Sequence, residues 1–344
     1  MQERQIGYYF IVMASVIIVL AGVKSASEII VPFLLSLFIA IILSPSFFYL
    51  KKKGLPEGIS LLLVILIFVL FLGAVASLIG NSVQDFSANI DLYSQKLTQN
   101  YLLLAQYADS FGIDVPVEEL STFINSKQIM LFVSSIIKGM GSMFTNGFVI
   151  LLTVIFMLLE SKSFVQKIKI ADNNTDSMKH IEQIFTKIKE YMMLKALISL
   201  LTGFIVWIAL LMIGTDYAFL WAVLAFLLNF IPNIGSIIAA VPAVLITLVQ
   251  LGSVSAAVVT ALYVGINVII GSVIEPKVMG RGLGLSTLVV FLSLLFWGWL
   301  LGMVGMLLSI PLTIMAKIIL HENESTRWVS VLLGSGDNLD TKVK

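Results

Sequence analysis

Between Tyr217 and Ala316 the chain carries only three charges, Glu275, Lys277 and Arg281. They sit together in Glu275-Pro276-Lys277-Val278-Met279-Gly280-Arg281-Gly282-Leu283-Gly284. The uncharged run before this island, Tyr217–Ile274, exceeds the roughly 20 residues that cross a bilayer as a helix, and so does the apolar run Gly282–Ala316 after it. A soluble domain has no use for such runs. The C-terminal half is therefore polytopic membrane protein. Charges stranded within it are functional candidates, because charge at membrane depth is costly and needs a reason.

Composition agrees. The 344 residues are 59% hydrophobic and 12% charged, against about 25% charged in soluble domains. A net charge of +1 leaves no basic footprint for nucleic acid. With no cysteine, thiol chemistry and iron–sulfur clusters are excluded. The apolar run Gln5–Val23 is too long for the core of a signal peptide and lacks a small-residue cleavage site, so it reads as the first span.

Charge-free windows place the other spans at Ile29–Leu50, Gly58–Gln84, Gly139–Leu159 and Ala196–Thr215. Tyr217–Ile274 divides at Asn229–Ser236 and at Gln250–Ser253 into three more, the first two short. Gly282–Ala316 is too long for one straight helix and breaks at Gly298-Trp299-Leu300-Leu301-Gly302, giving a membrane hairpin, spanning or re-entrant. The expected fold is all-α. It is a polytopic helical membrane protein with about eight spans, the C-terminal hairpin and an external amphipathic helical insertion.

Loop charges orient it. Lys51, Lys52 and Lys53 follow the second span and belong in the cytoplasm. So does the segment from Glu160 to Lys195, with seven lysines against five acids. Asp85–Lys138 is acidic in balance and belongs outside. Pro116 followed by Glu118 and Glu119 reads there as a helix start. Both termini fall in the cytoplasm. The expected blocks are 1–84 (three spans), 85–138 (external amphipathic region), 139–195 (fourth span and cytoplasmic helical linker), 196–320 (transport core) and 321–344 (cytoplasmic tail).

No pattern of catalytic residues appears, and none for a cofactor or metal. A Walker loop is missing, so there is no built-in ATP motor, and His180 and His321 are isolated in polar segments. What stands out is backbone punctuation. Pro232-Asn233-Ile234-Gly235 lies in an apolar run, where proline removes a donor and glycine removes bulk. It is either a broken helix at membrane depth, of the kind that builds polar transport sites, or a short loop at the cytoplasmic surface. Glu275, Pro276, Lys277, Arg281, Gly282 and Gly284 form either a gate or proton-coupled site at the membrane edge, or a positive-inside anchor with one ion pair. Gly298 and Gly302 have the spacing that lets helices approach closely. Asn229, Asn267, Gln250 and Thr260 either line a path for a neutral polar solute or bridge helices by hydrogen bonds.

Several stretches resemble one family. They are Phe230-Ile231-Pro232-Asn233-Ile234-Gly235, Glu275–Ser286, Phe296–Gly302, Ser309-Ile310-Pro311-Leu312, Ala26–Phe33 and Leu151–Glu160. Together they are similar to the autoinducer-2 exporter (AI-2E) family over essentially the whole chain. The resemblance implies an inner-membrane secondary transporter or facilitator that exports autoinducer-2. That cargo is a small neutral polar quorum-sensing molecule or its borate ester. It also implies a homo-oligomer, with pentamers described in the family. Some relatives are described as sodium(lithium)/proton antiporters, which is the alternative, with Glu275 as the titrating carboxylate. A membrane scaffold is a third reading, which the broken helices oppose.

Overall fold

The computed structural model describes residues 2–110, 127–128, 130–131, 133–135, 147–171, 175–232, 234–279, 285–322 and 324–334. Most of the expected external insertion after residue 110, the tail after residue 334, and Asn233, Arg281, Gly282 and Gly284 lie outside them. Among the described residues the protein is helical, and the one extended pairing is an isolated bridge between Leu285 and Gly334.

The named helices are α1 (Gln2–Ser25), α2 (Ser27–Lys52), α3 (Glu57–Ala88), α4 (Ile90–Ser110), α5 (Gly147–Ala171), α6 (Thr175–Ile213), α7 (Ala218–Leu228) and α8 (Gly235–Leu251). Next come α9 (Ser253–Ile266), a π-helical stretch over Asn267–Ile274, and α10 (Glu275–Met279). The last described helices are α11 (Thr287–Leu307), α12 (Ser309–Glu322) and α13 (Arg327–Leu332). Five stretches are long and apolar enough to cross a membrane: Ser27–Lys52, Glu57–Ala88, Thr186–Ile213, Ser253–Val278 and Thr287–Leu307. From Thr175 on, the linker and the expected fifth span are one helix, since α6 runs unbroken for 39 residues, while the linker's first part, up to Ala171, belongs to α5.

The chain folds into two compact units, each drawn from separated segments rather than from consecutive blocks. The first contains Met1–Val64, Phe148–Met193 and Arg281–Lys344. Its helix ends follow local chemistry. Glu28 lies in the first turn of α2 and Lys51 and Lys52 in its last, each favourable to the helix dipole. Gly54 turns the chain at φ 92°, and Lys51 closes onto Glu57 at 2.7 Å. Ser36 donates to the carbonyl of Ile150 at 3.2 Å, tying α2 to α5. Lys24 of α1 stands 4.3 Å above the ring of Trp299 in α11. Ser286 caps α11 by accepting from the Val289 amide.

The break expected over Gly298–Gly302 falls at Gly302, a residue whose spacing from Gly298 also suggested close packing. Its φ is 67° with nothing within 4 Å of where a Cβ would stand, so it turns the chain inside α11. The returning segment lays Met306 against Gly298, whose Cβ would meet the Met306 Cγ at 2.7 Å. The tightest approach falls at Gly305, where a Cβ would overlap the Trp297 carbonyl. The Trp297 indole then donates to Thr313 at 2.9 Å, joining α11 to α12.

The second unit contains Ile65–Gly147 and Leu194–Gly280. It holds α4, the C-terminal part of α6, and α7 through α10. Its core is the α7–α8–α9 meander, with Trp221, Leu220, Ala239, Ala243, Ile246 and Val259 fully buried. The small alanines allow the helices to approach closely.

Candidate functional site

Two polar clusters bracket the second unit. The first forms where α6 ends. Gly214 and Tyr217 take φ of 84° and 58°, which reverses the chain within four residues. This turn presents Asp216. Its carboxylate accepts from the Gln250 amide at 2.9 Å and from the Tyr93 hydroxyl at 3.1 Å. Its backbone amide donates to Gln250 at 2.7 Å, and its carbonyl accepts from the Trp221 indole at 2.9 Å. Gln250 also donates to the Gly214 carbonyl at 3.0 Å. Thr215 and Thr247 share a buried hydrogen bond beneath. Tyr93, from α4, stacks on the fully buried Phe86 and lies 3.3 Å from the Tyr217 hydroxyl. Burial first, and then the Tyr217 hydrogen bond, raise the Tyr93 phenol well above its ordinary pKa. The clasp thus fixes α4 to the α6–α7 and α8–α9 turns.

The second cluster begins with the α7–α8 turn. With 11 residues, α7 is about 16 Å long, and α8 with 17 is about 25 Å. Both fall short of the roughly 30 Å hydrocarbon core. At their tip the Asn229 amide donates to Ser199 of α6 at 2.9 Å, and Ser236 donates to Asn267 at 2.9 Å. Ser199 and Asn267 lie near the middle of the stretches Thr186–Ile213 and Ser253–Val278. The residues flanking the turn, Asn229 and Ser236, are thus held to the middle of these two apolar stretches and not to their ends. Pro232 is half-buried, and its carbonyl accepts from the Ile234 amide at 2.6 Å. Gly235 is obligatory here, because a Cβ would overlap the Leu228 carbonyl.

One turn along α6 from Ser199 is Lys195. Its side chain is 2% exposed, and its ammonium meets Glu275 Oε1 at 2.5 Å. The π-helical stretch precedes Glu275 directly, and such wider turns redirect the residues that follow relative to a continuous α-helix. Pro276 then sits in the first turn of α10, which continues the π-helical stretch without a gap, so its missing N–H leaves a carbonyl of the preceding turns without its usual backbone donor. The expected neighbours of Glu275 are arranged differently from the sequence order. Lys277 is exposed and, among the described residues, makes no ion pair with it. Among the described residues no three His, Asp or Glu gather as a metal site.

Sequence reasoning singled out Glu275, Pro232, Gly235, Asn229, Gln250 and Asn267, and the structure sets beside them Lys195, Ser199, Asp216 and Tyr93, which it did not single out. One signal was available. Lys195 and Asp216 bound the apolar run Ala196–Thr215, each a single charge at the edge of a span.

The chain matches the model of the AI-2E family transporters over residues 11–324. It belongs to that family. It is 38% identical over 324 residues to the AI-2 transport protein TqsA of Escherichia coli strain K12, covering 94% of each chain. It is 42% identical over 329 residues to a Haemophilus influenzae protein, again covering 94% of each. It is 36% identical over 327 residues to YhhT of Escherichia coli strain K12, covering 94% of this chain and 93% of that one. The names of the last two mark them provisionally as transport proteins and give no cargo. The protein is thus an integral membrane transporter of the AI-2E family and not an enzyme.

Proposed function

We propose that this AI-2E transporter moves autoinducer-2, a small neutral polar signal, out of a bacterial cell across the inner membrane, with both termini in the cytoplasm. The observation that carries the reading is the polar tier at the α7–α8 turn. There Asn229–Ser199 and Ser236–Asn267 place amides and hydroxyls, not charges, beside a helix break. A cargo with hydroxyl and carbonyl groups exchanges hydrogen bonds with such a tier without a charged partner. The similarity to a relative named for AI-2 transport supports the same cargo. The acidic segment Asp85–Lys138 faces the periplasm in this reading. The chain assembles with copies of itself, as a pentamer by analogy with the family. In this reading 282–316 is a membrane hairpin, and the turn at Gly302 supports it.

The test is flux of labelled autoinducer-2 in proteoliposomes, with and without proton or sodium gradients. Protein-dependent flux, lowered several-fold in Asn229→Ala and Ser236→Ala with insertion intact, supports the reading. Its absence in the unaltered protein removes it.

A second reading, cation–proton exchange at Glu275, is favoured by one observation. The carboxylate falls within the candidate span Ser253–Val278 and is only about a fifth exposed. Gradient-driven sodium–proton exchange lost in Glu275→Gln, with no signal flux, would establish it instead.

A further inference from the structure

We infer that Lys195 is a built-in cation, its ammonium filling beside Glu275 the place a coupling metal cation such as sodium would otherwise take. The inference rests on the export reading and specifies its energetics: transport runs without a bound sodium ion.

Three observations lead there. First, lysine ordinarily extends its stem along apolar surface and keeps its ammonium in water. Lys195 instead is 2% exposed within the candidate span Thr186–Ile213. Second, a carboxylate in a low-dielectric place requires a cation within contact. Among the described residues, Glu275 meets that need through Lys195 alone; Lys277, two residues along its own chain, is exposed. Third, the two charges sum to zero, +1 and −1, so the site is neutral with no ion recruited from solution. A sodium-coupled carrier needs a carboxylate whose cation can leave. Here the cation is tethered to α6, one turn from the Ser199 contact to the α7–α8 tip. Lys195 can part from Glu275 as the helices move, but it cannot be carried across. Removing the ammonium should expose a vacant monovalent-cation site at Glu275, open to sodium or ammonium and closed to bulky choline.

The test uses the full-length protein in detergent, melted in sodium, potassium, ammonium or choline chloride at equal ionic strength. The unaltered protein should melt alike in sodium and choline. Lys195→Ala should melt several degrees lower in choline and recover at least half of that loss in sodium or ammonium. The pair Lys195→Ala/Glu275→Gln should again be indifferent to the cation. A sodium-specific rise in the unaltered protein overturns the inference, as does Lys195→Ala melting equally low in every salt. Should Lys195→Ala fail to accumulate, the unaltered protein still decides: sodium-indifferent melting upholds the inference and a sodium-specific rise overturns it. In proteoliposomes, its flux of labelled autoinducer-2 should be unchanged when choline replaces sodium on both sides, and a several-fold fall overturns the inference. Absence of any autoinducer-2 flux removes the export reading instead, while the melts, which need no cargo, still decide the role of Lys195.

Discussion

Lys195 of α6 and Glu275, at the end of the π-helical stretch, are separated by 80 positions in the chain and meet at 2.5 Å. Neither charge has a place in a membrane protein core alone. Taking one partner away leaves the other uncompensated, a change that costs more than the pair itself contributes. Glu275→Gln should therefore lower stability by on the order of 3 kcal/mol. Lys195→Met/Glu275→Gln should recover most of that loss, because both charges leave together. Thermal melts of the two variants decide it, and equal losses in both would show that the pair is not coupled.

Tyr93 anchors α4 through Asp216 and Tyr217. Its phenol is raised above the ordinary value, first by burial and then by the Tyr217 hydrogen bond. The sign follows from the neutral form being the one the fold accepts. The contribution is complete below the unfolded pKa of about 10 and is lost as pH rises beyond it. Hydrogen exchange of α4 amides should accelerate above about pH 10 beyond the intrinsic base-catalysed increase. In Tyr93→Phe that additional alkaline dependence should be gone, with α4 already looser at neutral pH. An identical alkaline profile in the two proteins would contradict this.

A methyl group at Gly235 would enter the Leu228 carbonyl, which is backbone and cannot swing aside. Gly235→Ala should cost about 1–3 kcal/mol or more, as overpacking does. It should also lower flux more than Pro232→Ala, which removes a ring without adding bulk. Parallel melts and proteoliposome rates check both statements. Unchanged transport in the two variants would remove the break from the pathway.

At the C-terminal turn, Gly302 and Gly305 should respond differently. Gly302→Ala meets open space but must hold φ 67° and ψ −150°, a backbone region that is essentially glycine-only, at a cost of about 1–3 kcal/mol. Gly305→Ala drives a Cβ into the Trp297 carbonyl and the Leu301 side chain. The second variant should be the less stable, and a reversed order would mean the turn repacks.

How far the chain itself revealed this arrangement varied by feature. Glu275 stood out because a carboxylate adds little to topology, and Pro232 and Gly235 because neither belongs inside an apolar helix. Those are local anomalies, visible in one dimension. Lys195 did not stand out, since it closes a run of lysines; its place at the edge of Ala196–Thr215 was its one mark in the sequence, and its burial is what sets it apart from Lys187 and Lys189. Gly298 and Gly302 matched a packing spacing, yet the backbone uses Gly302 for a turn and places the tight approach at Gly305.

By itself the sequence determined that this protein is helical and spans a membrane, because runs such as Tyr217–Ile274 have nowhere else to place their apolar surface or their backbone hydrogen bonds. It also determined the family, through short motifs. Only the tertiary structure decided which charge among the described residues meets Glu275, which helices flank the α7–α8 turn, and that Asp216 holds α4 in place. Those outcomes depend on which helices become neighbours. Apolar surface specifies burial but not partner, whereas a buried hydrogen bond or ion pair has one geometry that satisfies it.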